Sequence, residues 1–480
     1  MIIDGIPAEQ LATKANFTDR AITSFLKFIE RKLNVSVIKN IRGLPDDPAL
    51  FAPLRLARML QDKGIIKSSG RTARNFPDEP RLRSWYAICN DSTSHQVGGT
   101  TWDSDADALY AALAEGLERY IWLTQDDFFI RPTKATTDGI RKLGSFIAPE
   151  KIAGFSEEQR ANNPELQLHN DTEYLWIQAT SLTKKAAVYI PAQVVNRAQS
   201  QQQGPGAKEP LIRRQTTIGL ATWPTQTGAR LAGAQEVIER EAYMVMWLNQ
   251  LTLPRLSLAP LCARDPSLAR IIASCERYGL KTHVIQMLTD APTHAFTVVM
   301  EDTSDIVPRF TFGLKAHRNP SFAIQKAMTE ALRAHRGCRL WFDAGNSWDM
   351  KTPASEVGHR ERLYYWSMPE HAKKLEFLIQ GPLIEIETKE WENDTEEQNL
   401  QRILSWCAEK ALECISVSLG TSAKNPTPWH VEMVIMPELQ PTYLTESTQA
   451  FGGNRWREVP ILFGYTPRDK PFADEPHPFS

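Results

Sequence analysis

Hydrophobic residues recur along this chain in two different spacings. From about residue 86 onward, runs of β-branched and aromatic residues alternate with long segments in which apolar residues recur at helical spacing. Extended strands are expected at 85–89, 174–179, 187–190 and 294–300. The alternation predicts a mixed α/β or α+β core, in which sheets are flanked by long helices.

The first 85 residues have a different pattern. Helical spacing is found at 18–33 and 49–63, a β-rich piece lies between them at 35–41, and a polar, basic stretch follows. We expect a small separate module over 1–85, for which a winged-helix-like peptide-recognition domain is one interpretation among several. The Gln, Gly and Pro content of 200–210 predicts a surface loop.

Composition narrows the class of protein. The 480 residues allow two or three domains, and 42% hydrophobic with 23% charged residues is typical of a globular protein. A formal net charge of -2 gives no bias towards nucleic acid or an anionic membrane. The six cysteines form no C-x-x-C pair and are expected to be reduced thiols. Without a signal-like start or a long apolar run, the cytoplasm is the expected location.

One charged motif occurs twice. The segment ALAEGLERYIW carries Glu115, Glu118 and Arg119, and the segment AGAQEVIEREAYMVMW carries Glu236, Glu239 and Arg240, so both read E-x-x-E-R. A helix is expected around the first copy, with Ser104 and Asp107 as its capping pair and with apolar residues at helical spacing: Ala106, Leu109, Tyr110, Leu113, Leu117 and Ile121. Residues three and four apart share a helix face, so each copy presents two carboxylates beside an arginine.

A single copy of this motif is commonly a solvated helix with an ordinary ion pair. Two copies are more informative, because four carboxylates that converge in a pocket repel one another unless a cation neutralises them. Oxygen ligands suit Mg²⁺, and Mg²⁺ with arginine suits a polyphosphate. The sequence has no Walker-type or G-x-G-x-x-G loop, so a nucleotide site here has to be built from side chains. A structural ion-pair network is the alternative.

These motifs and several later segments resemble the YcaO family of ATP-dependent enzymes that activate peptide backbone amides. The resemblance covers roughly 86–480, which is expected to form one YcaO domain. The supporting segments, in the family's order, are 176–195, TTIGLATW, YGLKTHVIQMLTD at 278–290, 312–336, MPELQPTYLTE at 436–446 and the final PHPFS. The last two are similar to the branch that makes azolines from Cys, Ser or Thr in ribosomally made peptides, and in that branch a proline-rich tail reaches the active site.

The resemblance implies a set of site residues. ATP would be held by Glu115, Glu118, Glu236, Glu239, Lys326 and Glu330, with the first four carboxylates binding Mg²⁺ and with Arg119 and Arg240 bracing the pocket. In the tail, Pro478 and Ser480 would orient the substrate or supply a base. The chain departs from the family pattern at five positions, where other residues are usual: Ala111, Gly228, Ala232, Lys326 and Arg333. Gly228 replaces a metal-binding Glu, which puts full ATP use in question.

The implied activity is ATP-dependent cyclodehydration of Cys, Ser or Thr in a precursor peptide to azolines. Activation of the same kind with sulfide or an amine as nucleophile would give a thioamide or an amidine, and a protein rather than a small peptide could be the substrate. A YcaO fold with a decayed nucleotide site, acting as a scaffold or peptide-binding partner, is the contrasting hypothesis. The resemblance also implies a homodimer. Because the chain has no zinc-binding Cys tetrad of the usual partner type, either a separate leader-binding partner protein or residues 1–85 would have to capture the leader peptide.

Overall fold

The computed structural model describes residues 2–3, 6–7, 47–72, 79–124, 132–152, 154–169, 171–195, 209–304, 308–358, 361–419 and 425–479. The chain divides into two compact units. The first consists of Met1–Ala73 and Arg83–Gly116, and the second of Arg74–Leu82 and Leu117–Ser480. No described helix combines the length and the apolar character that a membrane span requires.

The first unit is built on a small antiparallel sheet. Its elements are β1 (Ile2–Ile3), β2 (Ile6–Pro7), α1 (Phe51–Asp62), β3 (Ile66–Arg71), β4 (Arg83–Cys89), β5 (Gln96–Thr101) and the first turns of α2 (Asp105–Leu123). The sheet order is β3-β4-β5, and β1 pairs with β2. Ser104 begins α2 as predicted, since its Oγ accepts from the backbone N of Asp107 at 3.1 Å.

The second unit contains two larger sheets. One is five-stranded in the order β13 (Phe310–His317), β12 (His294–Asp302), β11 (Leu280–Gln286), β10 (Arg255–Leu256) and β14 (Leu383–Ile384). The other is six-stranded, with β6 (Thr133–Ala135), β7 (Tyr174–Ser181), β15 (Ile415–Ser418), β16 (His430–Ile435) and β9 (Leu220–Trp223) in order, while β8 (Ala186–Pro191) pairs with β7. All pairings are antiparallel except β10 with β14.

Two 24-residue helices position the site in the second unit, namely α5 (Gln226–Asn249) and α8 (Pro320–Asp343). The remaining helices are α3 (Thr137–Arg141), α4 (Glu157–Ala161), α6 (Ala259–Arg264), α7 (Pro266–Arg277), α9 (Glu361–Ser367), α10 (Pro369–Ala372), α11 (Glu396–Glu409) and α12 (Arg455–Leu462). Helix α5 is buried almost all round, from Leu231 on one side to Trp247 on another. A helix with no solvent-facing stripe belongs to a protein core, so the charges of α5 need partners inside the protein.

The last residues before Ser480 form a tail that is packed on this core. The indole N–H of Trp366 donates to the carbonyl of Pro476 at 2.9 Å, and the backbone N of Phe472 donates to the carbonyl of Leu248 at 2.8 Å. Fully buried Arg362 donates to Glu446 and contacts His477, each at 2.7 Å. Since a buried guanidinium requires such partners, the tail is fixed by polar contacts as well as by apolar packing.

The predicted fold class is confirmed, because mixed sheets flanked by long helices are observed. The strands predicted at 85–89, 174–179, 187–190 and 294–300 are β4, β7, β8 and β12, and the helix predicted at 49–63 is α1 with a preceding turn at Pro48–Leu50. All six cysteines are free thiols. The segments 18–33 and 35–41, and most of the loop at 200–210, lie outside the described residues. The 1–85 boundary and the winged-helix interpretation therefore stay predictions.

Candidate functional site

The second E-x-x-E-R copy lies on α5, whose start is fixed by a side-chain cap. The Thr225 hydroxyl accepts from the backbone N of Gly228 at 3.0 Å, and the helix ends where Gln250 takes a left-handed conformation with φ of 52°. Glu236, Glu239 and Arg240 are therefore carried by the middle of a long, well-anchored helix. The carboxylates of Glu236 and Glu239 face the turn just before β9 and the last residues of β13, respectively.

Both glutamates of this copy accept hydrogen bonds from backbone N–H groups, one in the turn before β9 and one in β13. Glu236 Oε2 accepts from Gly219 N at 2.9 Å. Glu239 Oε2 accepts from Ala316 N at 2.8 Å and from the Lys315 ammonium at 3.2 Å. Only 3% of Glu239 is exposed, so these donors replace the water that a buried carboxylate would otherwise lose.

Arg240 lies between the carboxylates. Its guanidinium is 3.5 Å from Glu236 Oε1 and 3.7 Å from Glu239 Oε1. Burial on its own lowers the pKa of Arg240, but Glu239, Glu236 and Glu330 outweigh burial and raise it. Arg240 therefore stays charged and keeps the three carboxylates together. We call Glu236, Glu239 and Glu330 around Arg240 the carboxylate cluster.

Glu330 comes to this cluster from α8. Its Oε2 accepts from the backbone N of Leu314, a residue of β13, at 2.8 Å. Burial raises the pKa of Glu330 to about 7, with Arg240 opposing the shift and Glu239 adding to it. Lys326 lies one turn earlier on α8, with its ammonium 5.4 Å from the Phe322 ring centre. A carboxyl that resists ionisation at neutral pH indicates that the cluster would gain from an additional cation.

The first E-x-x-E-R copy lies on α2. Within the first unit, Glu115 Oε2 accepts from Gly98 N in β5 at 3.3 Å. The division between the two units falls after Gly116, so Glu118 and Arg119 belong to the second unit, where both are half-buried. The structure thus brings together Glu236, Glu239, Arg240 and Glu330, whereas the roles of Glu115, Glu118 and Arg119 in nucleotide binding remain predictions.

The tail approaches the carboxylate cluster through one aromatic ring. Phe479 is 6% exposed and lies flat against the guanidinium of Arg240, with 4.1 Å between Arg240 Cζ and the ring centre. The same ring is 5.8 Å from the ring of Tyr243. Pro478, which was singled out from the sequence, is buried beside Phe479, whereas Ser480 lies outside the described residues.

Of the positions at which the chain departs from the family pattern, the structure explains one, Gly228. A Cβ atom built on Gly228 would be 1.8 Å from Cδ1 of Trp223, so the indole already occupies the space that a larger side chain would need. Trp223 is held there by a hydrogen bond from its Nε1 to Glu396 at 3.1 Å. Ala111 and Arg333 are exposed and Ala232 is half-buried, and nothing in the structure explains these three.

The donors of the cluster fit a magnesium ion by their chemistry. Within the described ranges, no group of three or more His, Cys, Asp and Glu side chains has the geometry to hold a metal. Mg²⁺ does not need such a cage, because it usually takes one or two carboxylates and completes its shell with phosphate oxygens and water. In each cluster glutamate, Oε2 accepts a hydrogen bond from a backbone N–H. In Glu236 and Glu239, Oε1 faces the guanidinium of Arg240.

Sequence reasoning missed several groups that build this site. Lys315 and the backbone N–H groups of Gly219, Leu314 and Ala316 lie outside the E-x-x-E-R motif in sequence, and in the tail Pro478 and Ser480 were singled out instead of Phe479. The sequence separation between each glutamate and its backbone donor is nearly constant, and it is a signal that could have located these donors. Glu115 and Glu236 each accept from a glycine 17 residues earlier, and Glu330 accepts from a residue 16 earlier.

Comparison with protein-family models gives one match. A family model described as YcaO cyclodehydratase, ATP- and Mg²⁺-binding, matches residues 101–440, which is more than two thirds of the chain. A comparison with curated protein sequences gives no match.

Comparison with solved structures finds several of similar fold, including the following three. A heterocyclase in complex with substrate and cofactor has a TM-score of 0.69 and 19% identity, over 89% of this chain and 57% of that one. YcaO from Methanopyrus kandleri bound with AMPPCP and Mg²⁺ has a TM-score of 0.60 and 16% identity, over 85% and 96%. The E. coli microcin synthetase McbBCD complex with pro-MccB17 bound has a TM-score of 0.53 and 11% identity, over 77% and 87%.

At these identities the likeness shows a common fold. This chain spans a little over half the length of the heterocyclase, and almost all of the Methanopyrus kandleri protein.

Proposed function

The chain belongs to the YcaO cyclodehydratase family, and from this premise we propose that it uses ATP and Mg²⁺ to activate a backbone amide of a peptide. The most specific form of the proposal is cyclodehydration of Cys, Ser or Thr in a ribosomally made precursor peptide to azolines. The observation that supports it best is the carboxylate cluster, which gathers oxygen donors and a charged arginine where the tail also arrives.

In this proposal the cluster residues have separate tasks. As the family resemblance implies, Glu115, Glu118, Glu236 and Glu239 would bind Mg²⁺, one or two carboxylates to an ion with phosphate oxygens and water completing its shell. Glu330 and Lys326 would complete the ATP site, and Arg119 would brace it. Arg240 keeps the cluster carboxylates from spreading apart and stabilises charge on phosphate oxygens. ATP, when bound, supplies the phosphoryl group that converts the amide oxygen into a leaving group.

The tail supplies substrate positioning. Phe479 packs on Arg240 and excludes water from one side of the guanidinium, which strengthens the electrostatic interactions of that group. Pro478, whose ring restricts the backbone just before Phe479, holds the tail in this direction. Ser480, as the residue that follows, is proposed to orient the peptide substrate or act as a base towards it.

The proposed substrate and partners are suggested by the structures of similar fold. The structures of similar fold include a heterocyclase with bound substrate and a multi-protein synthetase with pro-MccB17 bound. We propose a precursor peptide as substrate, a separate leader-binding protein as partner, and a homodimer.

The first test is binding of ATP with Mg²⁺ to the full chain by isothermal titration calorimetry. Glu239→Gln keeps the shape of the side chain but removes the charge, and we expect it to weaken binding by at least tenfold. Glu276→Gln, an exposed glutamate on α7, is the matched control and should bind like wild type. Absence of wild-type binding up to millimolar ATP, with and without a candidate partner, would overturn the enzyme proposal.

Mass spectrometry then separates the chemistries. Incubation with ATP, Mg²⁺ and a Cys-, Ser- and Thr-containing precursor peptide is expected to remove one water molecule per azoline. Exchange of oxygen for sulfur would instead indicate thioamide formation, and gain of an amine with loss of water would indicate an amidine.

A second candidate function rests on Gly228. Because the Trp223 indole fills the space beside Gly228, the position that carries a metal-binding Glu in the family cannot carry one here without movement of Trp223. This favours a protein with a decayed nucleotide site that acts as a scaffold or a peptide-binding partner. It predicts that the chain binds the precursor peptide, or the partner protein, with equal affinity in the presence and absence of ATP.

A further inference from the structure

A small, partly open cavity of about 40 Å³ lies next to the carboxylate cluster, on the side of Arg240 that faces the segment before β9. Its walls come from that segment, from α5 and from the segment 434–450. Three arginines line it, Arg213, Arg214 and Arg240, and no acidic side chain does. We call it the arginine cavity.

The polar lining of the arginine cavity is incompletely bonded. The hydroxyl of Thr442, a residue only 8% exposed, and Nε of Arg240 are both buried without a hydrogen-bond partner. No hydrogen bond or ion pair joins Arg213 to another residue of the described ranges, and burial lowers the pKa of its guanidinium to about 10. Buried donors and an uncompensated guanidinium cost stability, so they point to an anionic group that satisfies them.

The segment that carries Arg213 is fixed at both ends. Ile212 N donates to the side-chain oxygen of buried Gln193 at 2.9 Å. At the other end Gly219 donates its N–H to Glu236 at 2.9 Å, and its carbonyl accepts from Val434 N at 2.7 Å. Gly219 has a φ of 86°, which a side chain would strain. Arg213 is therefore held by backbone geometry beside the cluster.

The size of the cavity suits one compact anion. A buried water needs roughly 10–15 Å³ measured in this way, so the cavity has room for about three waters, which is the scale of one tetrahedral phosphoryl group. A guanidinium fork matches phosphate oxygens in geometry, and hydroxyls such as that of Thr442 complete such sites.

We propose that the arginine cavity binds a phosphoryl group, with Arg213 as its principal ligand and Arg214 and Thr442 beside it. The inference rests on the proposed function for the source of that group. It is either the terminal phosphate of bound ATP or the phosphate after it has left ATP, and both present the same chemistry to Arg213. Arg213 lies outside the E-x-x-E-R motifs and is assigned here from its position alone.

The test compares Arg213→Gln with wild type, using the full chain, Mg²⁺ and calorimetric titration with AMP, ADP and ATP. A terminal-phosphate site predicts that the variant loses at least tenfold in affinity for ATP but keeps its affinity for AMP and ADP. Arg213→Lys should recover part of the loss, since it restores charge without the fork. Arg270→Gln, which removes an exposed arginine on α7, is the control and should leave all three affinities unchanged.

A second arm titrates inorganic phosphate into the protein with ADP and Mg²⁺ already bound. If phosphate binding is lost in Arg213→Gln while ATP affinity is kept, the cavity receives the phosphate after it has left ATP. The proposal is overturned if the variant binds ATP and phosphate like wild type, or if AMP, ADP and ATP weaken together.

If the proposed ATP-dependent function is wrong, the result is different, because wild type then binds no nucleotide. The cavity assignment then stands only if inorganic phosphate alone binds wild type and not Arg213→Gln, and it falls if phosphate binds neither or both.

Discussion

Two strand-helix pairs of this molecule place a glutamate in the same way but in different charge environments. In the first unit, β5 leads into α2, and Gly98 N donates to Glu115 at 3.3 Å. In the second unit, β13 leads into α8, and Leu314 N donates to Glu330 at 2.8 Å. In both pairs a strand glycine allows the helix to approach closely, because a Cβ would be 2.0 Å from Ala108 O at Gly99 and 1.9 Å from Ala327 O at Gly313.

The difference lies around the carboxylates. Glu330 shares its surroundings with Arg240 and Glu239, and its pKa is raised to about 7 by burial. At the start of α2, Asp105 accepts from the Trp85 indole N–H at 3.0 Å. The comparison teaches that a strand backbone N–H decides where each glutamate lies, whereas burial, together with Arg240 and Glu239, sets the pKa of Glu330.

The substitution with the largest expected effect tests the close approach between strand and helix. Gly313→Ala would bring a methyl group against the backbone of α8, which cannot move aside as a side chain can, so we expect a loss of about 3 kcal/mol or more in the free energy of unfolding. Gly99→Ala should cost a similar amount against α2. Chemical denaturation measures the loss, and hydrogen exchange of α2 and α8 peptides locates it.

Gly337→Ala is the matched control on α8, because its Cβ would meet nothing nearer than 3.9 Å. It should be neutral or stabilising by up to about 1 kcal/mol. A large loss in Gly313→Ala with none in Gly99→Ala would break the parallel between the two strand-helix pairs.

The next effect concerns the charge of Glu330. Its pKa of about 7 in the folded protein exceeds the ordinary value of 4.5, so the folded state holds the proton more tightly and stability falls as pH rises between these values. Glu330→Gln cannot ionise and should lack this loss. Relative to wild type, the variant should therefore gain about 1–3 kcal/mol on going from pH 5 to pH 8, measured by denaturant unfolding.

Glu276→Gln serves as the control, with an unfolding profile parallel to that of wild type over the same pH range. If Glu330→Gln also runs parallel to wild type, the raised pKa of Glu330 is wrong. The contrast between the two strand-helix pairs then reduces to their hydrogen-bond lengths.

The smallest expected effect tests the space beside Gly228. Gly228→Glu alone has to displace Trp223, which is 41% exposed and can swing outward, so we expect a cost of about 1 kcal/mol. In a Trp223→Ala background this cost should vanish, and a glutamate three residues after Thr225 also suits the helix start. We expect the double variant to bind ATP at limiting Mg²⁺ a few times more tightly than Trp223→Ala, by calorimetric titration. Equal affinities would show that position 228 does not face the metal site.

Much of the fold and part of the site could be predicted from the sequence. Apolar residues at helical spacing identified α1, and runs of β-branched and aromatic residues identified β4, β7, β8 and β12. The E-x-x-E-R motif identified Glu236, Glu239 and Arg240, because they lie within one helical turn or so of each other. Long-range partners leave no such local trace.

The partners of these residues could not be predicted for that reason. Lys315 in β13 reaches Glu239 on α5 across 76 residues of the chain, and Arg213 belongs to no regular element. The donors to Glu236 and Glu330 are backbone N–H groups, which every residue type except proline provides, so residue identity carries no information about them. Only the folded arrangement of strands selects them.

The packed tail also has a consequence for how the protein is made. Residues 472–479 leave the ribosome after α5, α9 and the segment at 443–446 on which they pack, and the Phe479 ring covers Arg240 only once they have emerged. During translation the carboxylate cluster is consequently assembled with one face open to water, while the rest of the second unit can already fold. Synthesis order thus places the covering of Arg240 after the elements on which the tail packs have been made, and a nascent chain stalled before residue 472 is expected to lack it.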